Sequence, residues 1–401
     1  MRERAVITGI GVVSPLGRGP DALWSSVLSG RSGISRATDD SAPLAGQLAA
    51  KVPDSLFSEG FRDATGRPAM GRAATLADLA VRDALGSAAL AARDVDLVVG
   101  TTMGEPTWID TWPDSEAALA PPPADRAAEL LLGAPDGLAA SIADASGISG
   151  RVAAVGGACA AGNYALARAL DDVRAGRAHR VLAGGVDAFS RTAFIGFAKL
   201  GALALDSCRP FGLDRQGLVL GEGAAFLLVE ARESARRRGA PVLAELTGAG
   251  LSCDAHHPTS PHPEARGATQ ALRAALDDAA VVADDVDWVS AHGTGTGAND
   301  RTEVIALRNV FTGRQPPVSS LKSLTGHGLG AASAIEAVLC VLAMRHQVVP
   351  PTWRVGAQDP DCSWDVVTEG PRSADLRTVV NEAYAFGGCN AVTVMSRPET
   401  R

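Results

Sequence analysis

Hydrophobic and polar residues follow two different periods along this chain. Short apolar runs bounded by glycine predict buried strands, and these runs are VITGIGVV, VDLVVGTT, RVLAGGV and GAAFLLVEA. Other segments place apolar residues every three or four positions, as amphipathic helices do, and they include TLADLAVRDALGSAAL, TQALRAALDDAAV and the stretch after Cys159. Because strands and helices alternate in this way, we predict a layered α/β architecture.

One stretch of the chain is repeated further along. Residues 80–98 read AVRDALGSAALAARDVDLV and residues 271–289 read ALRAALDDAAVVADDVDWV, and both copies carry DVD where a helix is predicted to give way to a strand. We therefore predict two halves built on the same helix–turn–strand unit. The N-terminal half covers 1–240 and the C-terminal half covers 241–401, with the polar segment ARRRGAP at their junction.

Composition and charge narrow the class of function. The 401 residues carry a formal net charge of −8, which argues against a general affinity for nucleic acid or for an anionic membrane surface. No apolar run reaches the roughly 20 residues of a membrane helix, and the glycines inside VITGIGVV favour a buried first strand over a signal peptide. Six cysteines without a CxxC pair predict reduced thiols in the cytoplasm and argue against a disulfide scaffold or a zinc site.

Cys159 is surrounded by the smallest side chains available. It lies in GGACAAG, directly before a helical pattern, so a strand-to-helix turn is predicted here. Unpaired N–H groups and the dipole at a helix start favour a thiolate, and small neighbours let a substrate carbonyl approach the sulfur. The same pattern fits a small buried cysteine in a glycine-rich turn, and this stretch alone leaves both interpretations open.

Three further glycine-rich segments carry side chains suited to chemistry. His292 follows the strand VDWVS in the loop AHGTGTGAND, at a strand end of the kind that binds ligands in α/β sheets, although a surface-loop histidine also fits. Lys322 and His327 precede a helix that contains Glu336, and Lys322 is either a solvated lysine or a buried one paired with a carboxylate. The segment AYAFGGCNAV is either an ordinary hairpin turn or a source of backbone N–H groups for an oxyanion. One thiol and two imidazoles in such loops indicate acyl transfer through a thioester.

Six motifs, in their order and spacing, resemble those of the β-ketoacyl-acyl carrier protein synthases of the thiolase superfamily, in particular the type II elongating ketosynthases. They span nearly the whole chain and are VITGIGVVSPLG, ACAAGNYA, RPFGLDRQGLVLGEGAA, AHGTGTGAND, KSLTGHGLGAASAIEA and FGGCN. The resemblance implies a thiolase-like fold in which two duplicated halves form a five-layer αβαβα architecture, in agreement with the repeat. It implies decarboxylative Claisen condensation of an acyl group with malonyl-acyl carrier protein to give β-ketoacyl-carrier protein, in fatty acid or type II polyketide biosynthesis.

The resemblance also implies a role for each matching residue of the site. Cys159 would accept the acyl chain from the phosphopantetheine arm of the carrier protein. His292 and His327 would hydrogen-bond the malonyl thioester carbonyl and stabilise the enolate that remains when CO2 leaves. Lys322 would pair with Glu336 and keep the site in order.

A second group of matches concerns the oxyanion hole and the entrance to the site. Backbone N–H groups of Cys159 and Phe386 would form the oxyanion hole. Phe386 and Gly387 would belong to a gate, and Asp254 would lie on a second gate loop. Two acidic positions after the GTGT loop also match the family pattern, and these are Asp300 and Glu303.

The resemblance extends to substrates and partners. Met103 and Phe197 would line the acyl pocket, with Met103 of one subunit shaping the pocket of its partner. The expected binding partner is an acyl carrier protein that docks on basic residues. Candidate docking residues, by position along the chain, are Arg67, Arg72 and Lys199. A homodimer is expected, or a heterodimer with a ketosynthase-like subunit, and no metal, redox cofactor, nucleic acid or membrane is implied.

Four positions depart from the family pattern. Gly157 replaces a threonine two residues before Cys159, Ala385 replaces a glycine before Phe386, and Tyr384 and Cys389 also differ. An alanine in place of a glycine at a positive φ would restrict the gate. We take these departures to favour a specialised natural-product pathway.

Three other functions compete with condensation. A thiolase is suggested by Cys389 in a GGC turn, but the histidine motifs do not resemble those of thiolases. A non-enzymatic chain-length partner would lack a nucleophilic cysteine, whereas Cys159 is present. An acyltransferase that forms an ester or amide without decarboxylation is the main alternative, and the presence of both His292 and His327 argues against it.

Overall fold

The computed structural model describes residues 3–37, 46–57, 70–110 and 131–398, apart from the side chains of residues 108 and 109. The strands in these ranges are β1 (Ala5–Ser14), β2 (Gly17–Arg18), β3 (Ser35–Arg36), β4 (Leu48–Ala49), β5 (Asp96–Thr101), β6 (Val152–Gly156), β7 (Arg180–Asp187), β8 (Gly223–Ala231), β9 (Ala244–Cys253), β10 (Trp288–Ser290), β11 (Val318–Ser319), β12 (Val348–Val349), β13 (Arg372–Ser373), β14 (Thr378–Tyr384) and β15 (Cys389–Ser396).

The helices in the same ranges differ widely in length. They are α1 (Pro20–Ser29), α2 (Arg72–Ser87), α3 (Thr107–Asp110), α4 (Pro135–Ser146), α5 (Ala161–Arg174), α6 (Arg191–Lys199), α7 (Arg232–Arg237), α8 (Arg266–Ala279), α9 (Gly297–Val310), α10 (Lys322–Thr325) and α11 (Ala332–His346). Short 3₁₀ turns cover Asp54–Leu56, Ala92–Asp94, Ala158–Ala160, Ala283–Asp285, Leu329–Ala331, Pro360–Cys362 and Phe386–Gly388.

Ten of the strands form one continuous path in the order β11, β10, β14, β15, β9, β1, β8, β7, β5, β6, and β2 pairs with β1. From the β6 edge inward, two parallel pairings are followed by two antiparallel ones. The same sequence of pairings is found from the β11 edge inward. The two half-sheets therefore have the same topology, and β1 joins them by pairing with β9.

Helices cover both half-sheets and also separate them. Helices α2 and α4 pack on the outer face of the N-terminal half-sheet, and α8 packs on that of the C-terminal half-sheet with α9 against it. Helices α5 and α11 lie between the half-sheets and contact strands of both. Each interface holds its own apolar cluster, built largely from Ala, Val and Leu. This is the predicted five-layer αβαβα, thiolase-like architecture, while the proposed division of the chain at residue 240 stays a prediction.

The repeat seen in the sequence corresponds to a repeated packing contact. Helix α2 lies so close to β1 that a Cβ on Gly11 would be 2.0 Å from the carbonyl oxygen of Ala80. Helix α8 lies equally close to β9, because a Cβ on Gly250 would be 2.0 Å from the carbonyl oxygen of Ala271. Ala80 and Ala271 are equivalent positions of the two sequence copies, so the small residues preserve the same helix–sheet contact twice.

The N-termini of the two central helices meet, and this contact determines where the site forms. The N–H of Asn163 in α5 donates to Oγ of Ser333 in α11 over 3.1 Å. A Cβ on Gly162 would lie 2.7 Å from the same Oγ, so the approach requires glycine there. Cys159 and His327 lie in the turns that lead into these helices, and they are therefore brought to the same cavity.

One helical stretch in the described ranges, Leu329–His346, is long and apolar enough to cross a membrane, with a mean hydropathy of 1.4 over 18 residues. It contains α11 of the central layer, and 89% of it is buried inside the protein. Its apolar character is accounted for by packing between the two half-sheets.

Candidate active site

Cys159 occupies the predicted turn between a strand and a helix. It lies in the 3₁₀ turn Ala158–Ala160, between β6 and α5, and Ala158 before it has a φ of 46°. The side chain is buried and 6% exposed. Burial raises the pKa of the Cys159 thiol to about 12, while the nearby Lys322 charge lowers it. Desolvation therefore outweighs the effect of the helix start and favours the protonated thiol over the thiolate, while the side chain still lies at the helix start.

His292 is fixed by its backbone at the end of β10. The carboxylate of Glu303 in α9 accepts the N–H of His292 at 2.6 Å and that of Gly293 at 2.8 Å. This contact explains the acidic position after the loop, since a carboxylate is needed to hold two adjacent N–H groups. Asp300, the other matching acid, accepts the N–H of Phe211 at 2.8 Å and so ties α9 to a different loop.

His327 is held by backbone hydrogen bonds on both sides. Its N–H donates to Val219 at 2.7 Å, and its carbonyl accepts the N–H of Gly221 at 2.9 Å. The rings of His292 and His327 are 5.2 Å apart between centroids and nearly perpendicular. Burial, followed by the Lys322 charge, lowers the pKa of both imidazoles well below the usual 6.5. Both rings are therefore neutral at pH 7 and can each donate one N–H.

Lys322 is buried and paired, so the interpretation as a solvated surface lysine is wrong. Its Nζ donates to Oε1 of Glu336 over 2.5 Å, and both side chains are 1% exposed. Burial raises the pKa of Glu336 to about 7, although Lys322 lowers it. The charge of the Lys322 ammonium group acts on the thiol and on both imidazoles, and it works to lower the pKa of each of the three groups.

The segment around Phe386 is both a hairpin turn and part of the site. It connects β14 to β15, and Phe386 lines the same cavity as Cys159, His292 and His327. Ala385 has an extended backbone with a φ of −129°, so the expectation that this position needs a positive φ is wrong. The positive φ values belong to the two residues after Phe386, both glycine.

Two backbone hydrogen bonds join the Phe386 hairpin to the loop that begins at Asp254. Asp254 N–H donates to Gly388 at 2.9 Å, and Gly387 N–H donates to Pro258 at 2.7 Å. The Asp254 carboxylate also accepts Asn390 Nδ2 at 2.9 Å. These contacts hold the two segments together, and they commit the Gly387 N–H to Pro258 in this conformation, while their role as a gate stays a prediction.

The cavity beside Cys159 is narrow and apolar. Its volume is about 80 Å³. Phe197 contributes to its lining and packs against Phe386 with ring centroids 5.5 Å apart. Met103 packs against the apolar cluster that contains Cys159 but does not line this cavity, so its part in an acyl pocket stays a prediction. Sequence reasoning missed the other members of this cluster, which include Phe194, Leu218, Leu220 and Leu329.

Asp187 is a further residue that sequence reasoning missed. It is fully buried at the end of β7, and its carboxylate accepts the N–H groups of Met103 at 2.9 Å and Gly330 at 2.6 Å. Burial raises the pKa of Asp187 to about 6. Asp187 therefore connects the loop that carries Met103 to the turn after His327. The signal for it was an acidic residue directly after the apolar run RVLAGGV.

The three candidate docking residues have three different outcomes. Arg67 lies outside the described residues. Arg72 is wrong as a free docking cation, because its guanidinium is held by Glu222 at 2.6 Å and Asp54 at 2.8 Å. Lys199 is exposed at the end of α6 and remains a candidate. Across the ranges that the structure describes, no group of three or more His, Cys, Asp and Glu side chains is arranged to hold a metal ion.

The unusual Gly157 is explained by a packed aromatic ring. A Cβ at this position would lie 2.7 Å from Cδ2 of Tyr164 and 3.2 Å from the backbone of Ala161. We expect Gly157→Thr to lower the free energy of unfolding by about 1–3 kcal/mol, the usual cost of overpacking. Urea denaturation of the parent and the variant measures this difference in the free energy of unfolding.

The matched control combines the substitution with Tyr164→Ala, which removes the ring. In the Tyr164→Ala background, the threonine should lower the free energy of unfolding by less than it does in the parent protein. A Gly157→Thr protein that unfolds at the parent's urea concentration would show that Tyr164 does not fill this space.

Comparison with known proteins agrees with this geometry. Residues 2–235 match the N-terminal domain of β-ketoacyl synthases and residues 243–355 match the C-terminal domain. Nodulation protein E of Rhizobium sp. (strain N33) is 39% identical over 403 residues, covering 98% of each chain. A 3-oxoacyl-[acyl-carrier-protein] synthase 2 of Staphylococcus aureus (strain N315) is 33% identical over 413 residues, covering 99% of each.

A solved structure shares the fold over its full length. The ishigamide ketosynthase/chain length factor superimposes with a TM-score of 0.91 at 38% identity, covering 100% of both chains. The fold and the matches define a condensing enzyme of the acyltransferase class. The chain belongs to the β-ketoacyl synthase family, which confirms the family predicted from its motifs.

Proposed function

We propose that this enzyme carries out the decarboxylative Claisen condensation of an acyl group on Cys159 with malonyl-acyl carrier protein. One observation carries the proposal. A thiol and two neutral imidazoles, those of His292 and His327, line one narrow cavity next to the buried Lys322 ammonium. A hydrolase needs only one base, whereas two neutral N–H donors facing the thiol suit an enolate.

Acyl loading is the first step. The Cys159 sulfur attacks the acyl thioester of the carrier arm, and the thiol proton leaves with the pantetheine sulfur. Because burial raises the pKa of Cys159 to about 12, loss of its proton must accompany the attack. The Lys322 charge and the N–H groups at the start of α5 stabilise the negative charge on sulfur at that moment.

Decarboxylation is the second step. The malonyl thioester carbonyl lies between His292 and His327, each donating one N–H, and the electron pair of the breaking C–C bond moves into the enolate as CO2 leaves. A neutral imidazole is the suitable donor, because it can polarise the carbonyl without giving its proton to the enolate. The buried surroundings strengthen both hydrogen bonds.

Condensation is the third step. The enolate carbon attacks the carbonyl of the Cys159 thioester, and backbone N–H groups of Cys159 and Phe386 receive the oxyanion. Collapse of this intermediate releases the β-ketoacyl-carrier protein and a Cys159 thiolate, which takes up one proton from solvent. The first and third steps transfer acyl groups and the second releases CO2, and none of them needs an electron donor or acceptor, so we propose that no metal or redox cofactor takes part.

The proposed partners follow from the same chemistry. Both substrates arrive on an acyl carrier protein, in fatty acid or type II polyketide biosynthesis, and we place the enzyme in the cytoplasm, where carrier-bound intermediates are made. Among the residues that the structure describes, strand β6 pairs on one side only, and Val152 on it is 40% exposed. We propose that this edge meets a second subunit, either a copy of this chain or a ketosynthase-like protein.

Intact-mass spectrometry tests the proposal. The protein is mixed with a panel of acyl-carrier proteins and then with malonyl-carrier protein. We expect an acyl mass on the protein that disappears when malonyl-carrier is added, together with one CO2 and a β-ketoacyl-carrier product for each acyl group lost. The acyl group that loads best identifies the substrate.

Two results would overturn condensation. Transfer of the acyl group to an alcohol or amine without loss of CO2 would make the protein an acyltransferase without decarboxylation. If no acyl adduct forms with any donor, Cys159 is not the nucleophile.

A further inference from the structure

Two cysteines outside the catalytic cavity lie opposite each other at the base of the gate. Cys253 is the last residue of β9 and Cys389 the first of β15, and the antiparallel register pairs them directly. Both thiols are free, and neither residue lines the cavity beside Cys159. Cys389 therefore has no place in a thiolase-type mechanism here.

The hydrogen bonds next to this pair identify its geometry. The N–H of Asp254 donates to Gly388, and these two residues are the next pair along the same ladder. Since hydrogen-bonded and non-hydrogen-bonded pairs alternate in an antiparallel sheet, Cys253 and Cys389 form a non-hydrogen-bonded pair. Cα atoms of such pairs are about 4.5 Å apart, within the range of about 4.4–6.8 Å that a disulfide spans.

The two sulfur atoms also point to the same place. The Cys253 thiol donates to the carbonyl oxygen of Gly387 at 3.5 Å. A Cβ on Gly387 would lie 4.0 Å from Sγ of Cys389. Burial, and after it the neighbouring Cys253 thiol, raises the pKa of Cys389. Both side chains thus flank one residue of the gate.

Exposure distinguishes the two thiols. Cys253 is exposed and Cys389 is half-buried. A peroxide would reach Cys253 first, because solvent access governs thiol oxidation in addition to ionisation.

We propose that Cys253 and Cys389 form a reversible disulfide that holds the gate closed over Cys159. Peroxide oxidises the Cys253 thiol to a sulfenic acid and is reduced to water. The Cys389 sulfur then attacks the Cys253 sulfur, the S–S bond forms, and a second water leaves with the remaining proton. A dithiol reductant reverses the step by thiol–disulfide exchange.

The bond would act on both gate loops together. Opening the gate requires the Asp254–Gly388 and Gly387–Pro258 hydrogen bonds to separate, and these loops begin at Cys253 and end at Cys389. A covalent bridge at their common base restricts that separation. Because the cavity beside Cys159 measures about 80 Å³ with these loops in contact, we expect an acyl chain on a carrier arm to enter only when the loops separate.

Oxidation of the whole protein with hydrogen peroxide tests the proposal, with two measurements that do not require turnover. Peptide mapping under non-reducing conditions should show a Cys253–Cys389 cross-link with the loss of two hydrogen atoms. The rate at which iodoacetamide alkylates Cys159 should fall about tenfold, as expected when a lid is held shut, and dithiothreitol should restore it. Acyl loading from the carrier should fall with it.

Cys253→Ser is the matched control, since it keeps a small hydrogen-bond donor at the position. We expect its Cys159 to be alkylated at the parent's rate both before and after peroxide. Peroxide that modifies Cys253 or Cys159 without cross-linking Cys389 would overturn the proposal. So would a cross-link that leaves Cys159 alkylation unchanged.

The functional consequence for acyl loading rests on the proposed condensation, but the two failures can be told apart. A protein that cross-links and protects Cys159, yet never loads an acyl group when reduced, contradicts the proposed function and leaves the thiol pair intact.

Discussion

Cys159→Ala should abolish acyl loading and lower condensation by about 10³-fold or more, the order seen when the nucleophile of an acyl-transfer site is removed. It should still release CO2 from malonyl-carrier protein. The reason is that the alanine removes only the sulfur, while His292 and His327 keep their backbone anchors and remain neutral. This variant therefore separates the loss of acyl loading from the loss of decarboxylation.

Carbon dioxide release and β-ketoacyl product are measured in parallel for this variant. Cys362→Ala is a control, because Cys362 is also a buried cysteine but belongs to the outer cluster under α9. It should load and condense like the parent. A Cys159→Ala protein that loses CO2 release to the same extent as condensation would contradict the division of roles between the thiol and the imidazoles.

Lys322→Met should have the largest effect on stability. The substitution leaves the Glu336 carboxylate buried without its cation, and breaking a buried pair from one side costs about 3–5 kcal/mol. Since both side chains are 1% exposed, solvent cannot replace the lost partner. Urea denaturation should show a free energy of unfolding lower by that amount.

The double variant Lys322→Met, Glu336→Leu separates stability from catalysis. Apolar side chains of similar volume often replace a buried ion pair without loss, so stability should return close to that of the parent. Condensation should stay low, because the charge that acts on Cys159, His292 and His327 is absent. Recovery of full activity in the double variant would show that the pair serves only to hold the fold.

Much of this protein could be predicted from local sequence. The repeated helix–turn–strand unit predicted duplicated halves, because the same small residues make the same helix–sheet contact in each, as Ala80 and Ala271 show. Glycine-rich turns before helices made Cys159 and His327 candidates, since such turns leave a side chain uncovered at a helix start, and the family resemblance gave each its expected role. Lys322 was a candidate for a buried, paired lysine because it is an isolated charge in its stretch, and the family resemblance named Glu336 as its partner.

Other features depend on residues that are distant in the sequence. The sequence alone does not show which of these residues come into contact. Arg72 looked like a free cation until the fold placed Glu222, 150 residues away, against its guanidinium. The ionisation of Cys159 was left open by the sequence, because its helix start is visible there but its burial is not.

The chain by itself determined the alternation of strands and helices and the duplication, because these follow from periodicity and from a local repeat, while the family resemblance of its motifs named the candidate reacting side chains. Tertiary structure alone decided which groups are desolvated, which charges are neutralised and which loops touch. The pairing of Cys253 with Cys389 belongs to this second class, since strand register across 136 residues brings the two thiols together. The physical reason is that solvation and strand register are properties of the packed whole, whereas secondary-structure pattern is a property of neighbours in the chain.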